Sequence, residues 1–170
     1  MELSLSKRRV ANAVFFSPDG SAVYHTDTSA RLFGRRKTKI YRGKKQIGVV
    51  QLHPWSTDVV DVQGRSVNPH RAHLGTSSEV FTASDGHSYK WKVPLGTSLT
   101  LYSNDHSSHT IARYDHGSHG IFSRSRPPTL FIESKGVHIA DEIITTFVYM
   151  MRKREHRSSA AGAAAAGASA

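Results

Sequence analysis

The chain of 170 residues contains no cysteine. Neither a disulfide framework nor a thiolate zinc site can exist in it, which excludes the disulfide-stapled secreted class. Long hydrophobic runs are also missing. The most apolar stretch, the nine uncharged residues 143 to 151 within DEIITTFVYMMRKRE, is far shorter than the ~20 residues a membrane-crossing helix needs. Acids are scarce, with 13 Asp plus Glu against 23 Lys plus Arg, so the formal net charge is +10 before any of the 11 histidines protonates. No glycine-rich phosphate loop leads into G-K-S/T, HGSHG is not a G-x-S-x-G nucleophile elbow, and the carboxylates are scattered. No enzymatic activity and no cofactor are therefore expected. The N-terminal MELSLSKRRVANAVFF has basic residues but no apolar segment of signal-peptide length, and no N-x-S/T sequon occurs. The expected location is cytoplasmic, with peripheral attachment to a membrane.

What is present reads as one β-rich domain. Hydrophobic residues make up 38% and charged ones 21%, with 13 glycines and 6 prolines, an ordinary balance for a globular chain rich in turns. From Asn12 to Glu133 short β-type runs alternate with turn residues. NAVFF, SAVYHTDT, TKIYR, QIGVVQLH, DVVDVQG, EVFTAS, SYKWKVP, TSLTLYS, HTIARYD, GIFSR and TLFIES give about eleven candidate strands, the spacing of an antiparallel sandwich or barrel. Asp19-Gly20 and Asp85-Gly86 are hairpin dipeptides that accept positive φ. Alternation in SYKWKV places Tyr89, Trp91 and Val93 on one face. Residues 65–78 lack periodicity and read as a mobile loop. The expected division is an N-terminal extension over 1–11, a domain over 12–157, and a disordered Ala/Gly/Ser tail over 158–170.

The apolar segment near the C-terminus predicts a helix over about 137–154. On a helical wheel Ile139, Ile143, Ile144, Phe147, Val148 and Met151, joined by Ala140 and Met150, cover half the circumference, with Thr145, Thr146 and Tyr149 on the rest. A surface helix carries charge at mid-length. Here Asp141 and Glu142 stand at one end and Arg152, Lys153 and Arg154 at the other, the arrangement the helix dipole favours. Threonine hydroxyls can bond the carbonyl one turn back. This pattern predicts a helix enclosed on all sides.

Four segments in order, DGSAVYHTDT, DGHSYKWK, IARY and GVHIADEIITTFVYMMRKR, together resemble an uncharacterised fungal domain family grouped with the tubby C-terminal-like, scramblase and LURP-one folds. The resemblance covers roughly Asn12 to Arg154. It implies a mainly β fold, a closed antiparallel barrel of about twelve strands around a buried C-terminal hydrophobic helix. It also implies an association with lipid, phosphoinositide-bearing membranes included. No tubby lipid-binding residue matches by position.

The clearest charged feature is RLFGRRKTKIYRGKK, residues 31–45, which has no acid. Arg35, Arg36, Lys37, Lys39, Arg42, Lys44 and Lys45 are the candidate binding residues for anionic phospholipid headgroups, each exposed base being worth ~1 kcal/mol at an anionic membrane. The plain alternative is a solvated hairpin whose charges protect a sheet edge. Nucleic acid fits the same sign, yet apart from Tyr41, and Tyr89 and Trp91 beside Lys90 and Lys92, the aromatics do not cluster with the bases as a stacking platform would. A protein-interaction domain with no small ligand is the third reading. His106, His109, His116 and His119 have ligand-type spacing. However, residues three apart point to opposite strand faces, and the two loops of a hairpin lie at opposite ends, so they read as turn histidines and no metal is expected.

Overall fold

The computed structural model describes residues 1–29, 37–53, 56–73, 75–93, 98–118 and 126–167, with side chains through residue 159. Its strands are β1 (Glu2–Leu5), β2 (Val14–Phe16), β3 (Ala22–Thr28), β4 (Lys37–Arg42), β5 (Lys45–Gln51), β6 (Val59–Val62) and β7 (Arg65–Ser66). Then come β8 (His70–Arg71), β9 (Glu79–Thr82), β10 (Ser88–Lys92), β11 (Leu99–Ser103), β12 (Thr110–Asp115) and β13 (Thr129–Ile132). A short 3-10 helix, Ser134–Ile139, leads directly into α1 (Ala140–Gly167).

All strands belong to one 13-stranded antiparallel sheet in the order β7-β6-β5-β4-β3-β2-β1-β13-β12-β11-β10-β9-β8. Two hairpin meanders are thus joined in the middle, where β1 pairs with β13. The expected closed barrel is not formed, because β7 and β8 remain edges with no ladder between them among the described residues. The reason is parity: with an odd number of antiparallel strands the first and last run the same way, and only residues 67–69 join them. A parallel pair needs a crossover of roughly a dozen residues or more. A side chain spans the seam instead, Arg65 Nη1 donating to the Thr82 carbonyl at 3.2 Å.

The sheet curls round α1. Ile139, Ile143, Ile144, Phe147, Val148 and Met151 are all buried, as the wheel predicts, and so are Thr145, Thr146 and Tyr149 on the other side. Phe147 sits among Tyr114, Trp91 and Phe15 at centroid distances of 5.0, 6.2 and 6.3 Å. Thr145 and Thr146 donate to the carbonyls of Asp141 and Glu142, both at 2.8 Å, and Trp91 Nε1 donates to Thr146 Oγ1 at 3.0 Å. On the opposite side β5 approaches so closely that a Cβ on Gly48 would come within 2.9 Å of Thr145 Cγ2. Burial stabilises by roughly 1.5–3 kcal/mol per large apolar side chain, so this segment is a main contributor to the core.

Four sequence expectations need correction. Residues 2–5 are not an extension but β1, paired on both sides, with Leu3 and Leu5 buried. The helix begins at Ala140 after the 3-10 segment, not at 137. It continues to Gly167 where disorder was expected, since alanines added to an existing helix need no new nucleus. The 65–78 loop carries the edge strands β7 and β8 and the buried Val67.

Strand alternation assigns every connection to one of two ends. The turns β2–β3, β4–β5, β6–β7, β9–β10 and β11–β12 surround the start of α1, and Gly20 and Gly86 adopt the expected positive φ in two of them. The strand ends flanking the other connections, β1–β2, β3–β4, β5–β6, β8–β9, β10–β11 and β12–β13, stand at its exit end.

Candidate functional site

The basic stretch 31–45 does not form one patch. Residues 30–36, including Arg35 and Arg36, lie outside the described residues, while Lys37 begins β4 at the exit end and Arg42 ends it at the start end. Six extended residues separate the two ends by about 20 Å. Lys37 and Lys39 face outward with Tyr41, which stacks on His25 at 4.8 Å. Lys39 is paired in register with Asp27, an acid that offsets part of its charge. Arg42 shares its strand face with the buried Thr38 and Ile40, and its guanidinium lies 3.4 Å from Asp141. It is thus engaged with the helix start while its side chain stays half exposed. Lys44 in the β4–β5 turn and Lys45 at the start of β5 are exposed.

At the start end a cavity of about 370 Å³ opens over the first turn of α1. Asp141 forms part of its floor, accepting from Tyr24 Oη at 3.2 Å and Gln63 Nε2 at 2.7 Å. Burial, helped by the neighbouring Asp141 carboxylate, pushes the Tyr24 hydroxyl up to about 12. Glu142 accepts from Arg65 Nη2 at 3.3 Å and from the Ser84 amide at 3.1 Å. On the rim His138 Nε2 is 2.9 Å from Asp85, which also accepts from Tyr89 Oη at 2.7 Å. Desolvation raises the Asp85 pKa, but the hydrogen bonds from Tyr89, the His87 amide and His138 outweigh it and hold the carboxyl below its ordinary range.

The exit end is built differently. Lys153 Nζ reaches Glu79 at 2.6 Å and Tyr149 Oη at 2.7 Å, Tyr149 donates to Asp58 at 3.2 Å, and Arg152 bonds Glu155 at 2.7 Å. Burial pushes the Tyr149 hydroxyl up strongly, with Glu79 and Asp58 adding to it. Glu155 also accepts from the Val10 amide at 3.1 Å, which ties the β1–β2 connection to the helix. These contacts occupy three of the local acids. Around them Lys7, Arg9, Lys37, Arg71, Arg126 and Arg157 stand exposed.

Tyr89 and Trp91 point into the core, as the alternation predicts. Two outer-face aromatics lie under cations, Tyr102 under Lys92 at 4.6 Å and Phe131 under Arg113 at 4.1 Å. The histidines do not converge. His106 and His109 lie in the β11–β12 turn at the start end, His116 follows β12 at the exit end, and His119 lies outside the described residues. No group of three or more His, Asp or Glu suited to a metal occurs among the described residues. No helix among them is long and apolar enough to cross a membrane.

The start-end cavity escapes the sequence because its parts are far apart: Gln63 is 78 residues from Asp141 and Arg65 is 77 from Glu142. Arg42 alone carried a signal, its two-residue spacing from Thr38 and Ile40. Neither a curated protein nor a solved structure matches the chain. The model of a family of unknown function, DUF6593, matches residues 8–156, most of the described fold apart from β1 and the last helical turns, and the chain belongs to that family.

Proposed function

We propose that this domain is a non-enzymatic module that binds anionic phospholipid headgroups, phosphoinositides included, through the basic surface at the exit end of α1. One observation carries the reading: cations there are exposed while the nearby acids Asp58, Glu79 and Glu155 are already engaged by Tyr149, Lys153 and Arg152. Each exposed base contributes ~1 kcal/mol at an anionic surface, so a handful provides salt-sensitive peripheral attachment. Lys37 belongs to this surface, and Arg35 and Arg36 immediately precede it in the chain. Lys44 and Lys45 fall at the opposite end and have no part in it. The enclosed C-terminal helix within a curled antiparallel sheet also supports placing the domain beside the tubby C-terminal-like, scramblase and LURP-one folds.

Nucleic acid is the less favoured reading because, among the described residues, Tyr102 and Phe131 lie under cations and Tyr41 is stacked on His25, which leaves Phe16 rather than a row of rings for base stacking. Flotation with phosphoinositide vesicles across a salt series tests the proposal. Binding that falls steeply with salt and exceeds binding to neutral vesicles is expected. A protein that ignores the vesicles but shifts short single-stranded oligonucleotides would establish the nucleic-acid reading in its place. Silence towards both would leave a protein-interaction domain.

A further inference from the structure

We infer that the start-end cavity is a binding site for a small zwitterion that carries a primary ammonium and an oxyanion, as an amino acid or phosphoethanolamine does. This inference is independent of the membrane reading, since it concerns the other end of the molecule. The cavity, about 370 Å³, falls in the range of roughly 300–1,000 Å³ usual for small-ligand sites. Its principal charges balance, with Arg42 and Arg65 against Asp141 and Glu142. A ligand of one sign would leave an unmatched charge in a half-enclosed site, which is costly. A ligand carrying both signs preserves the balance.

Depth fixes the orientation. The carboxylate side chains are only 8% exposed, whereas those of Arg42 and Arg65 are 51% and 41% exposed. Acids therefore form the floor and guanidinia the mouth, so the ammonium enters first and the oxyanion stays outermost. The existing ion pairs leave capacity for this. At 3.4 and 3.3 Å they are looser than the ~2.7–2.9 Å of a good charge-assisted bond. Glu142 engages Arg65 and Ser84 through Oε1, and no bond to its Oε2 occurs among the described residues, so that oxygen can accept from an ammonium. Each guanidinium has five donors in a planar fork suited to a carboxylate or phosphate.

The test is calorimetric titration of the full chain at neutral pH with phosphoethanolamine, inorganic phosphate, ethanolamine and phosphocholine, accompanied by amide NMR. Phosphoethanolamine is expected to bind at least about tenfold more tightly than either half alone. Phosphocholine, whose nitrogen has no N–H to donate, is expected to bind no better than phosphate, and the shifted amides should include Gln63 and Ser84. Glu142→Gln should abolish the advantage of phosphoethanolamine over phosphate. The wild-type ligand comparison stands even if that variant does not fold. Vesicles of phosphatidylethanolamine against phosphatidylcholine separate the sources: retention on the former, released by free phosphoethanolamine, assigns a lipid headgroup, and binding of the free molecule without retention assigns a soluble one. Equal affinity for phosphate and phosphoethanolamine, no binding of phosphoethanolamine in either form, or shifts confined to the exit end would overturn the inference.

Discussion

At the end where α1 begins, Arg42 and Arg65 turn inward onto Asp141 and Glu142, and the exposed β4–β5 turn adds only Lys44 and Lys45. At the end where it emerges, the inward charges form a closed clamp, while Lys7, Arg9, Lys37, Arg71, Arg126 and Arg157 face solvent. Among the described residues one end matches charges within a cavity, and the other turns a group of exposed bases to solvent. At the start end the helix contributes to the match, since Asp141 and Glu142 stand in its first turn, where the dipole favours acids.

The strongest way to break the contrast is to remove the plug that separates the ends. Phe147→Asp places an unpaired carboxylate among Phe15, Trp91 and Tyr114, a burial that costs several kcal/mol and exceeds ordinary domain stability when the lost packing is added. No cooperative thermal transition is expected, and a soluble variant with an unchanged Tm would refute the enclosed helix.

A smaller effect compares the ends directly. Lys153→Met strands Glu79, which is 1% exposed, and should cost about 3–5 kcal/mol. Arg42→Met removes a half-exposed partner while Tyr24 and Gln63 still bond Asp141, and should cost about 1 kcal/mol or less. Urea denaturation of both variants checks the order. Equal losses would mean that the exit-end clamp is no more enclosed than the start-end pairs.

The smallest effect is a pH dependence at the start end. The Asp85 carboxyl has a folded pKa held below its ordinary 3.8. Its contribution is therefore present above that value and lost as pH falls through the lowered folded pKa. Wild type should exceed Asp85→Asn in stability at neutral pH, and the two curves should converge in acid. Curves that stay parallel to the lowest pH would dissociate Asp85 from this effect.

The enclosed helix was legible because charge was confined to the ends of an apolar segment, and the positions of Thr145 and Thr146 already suggested hydroxyl bonds to the preceding turn. Tyr89 and Trp91 were legible from a period of two. The two-residue strands β7 and β8 were not, being too short for alternation to stand out, and neither was β1, a four-residue strand ahead of the first candidate run. Sheet closure was not legible either: it depends on whether the strand count is odd or even, and sequence spacing does not resolve a single extra strand. The basic run 31–45 misled because proximity in the chain is not proximity in a hairpin, where one strand carries its two ends to opposite poles of the fold.

The central claim, that outward charge at the exit end performs the docking, is tested most directly by flotation of two charge-reversal variants on phosphoinositide vesicles. Lys7, Arg9 and Lys37 changed together to Glu should weaken binding by on the order of a hundredfold or more, from ~1 kcal/mol for each base lost and as much again for each acid gained. Lys44 and Lys45 changed to Glu should leave binding near wild type. The reverse order, or equal losses in both, would contradict the division of charge between the two ends.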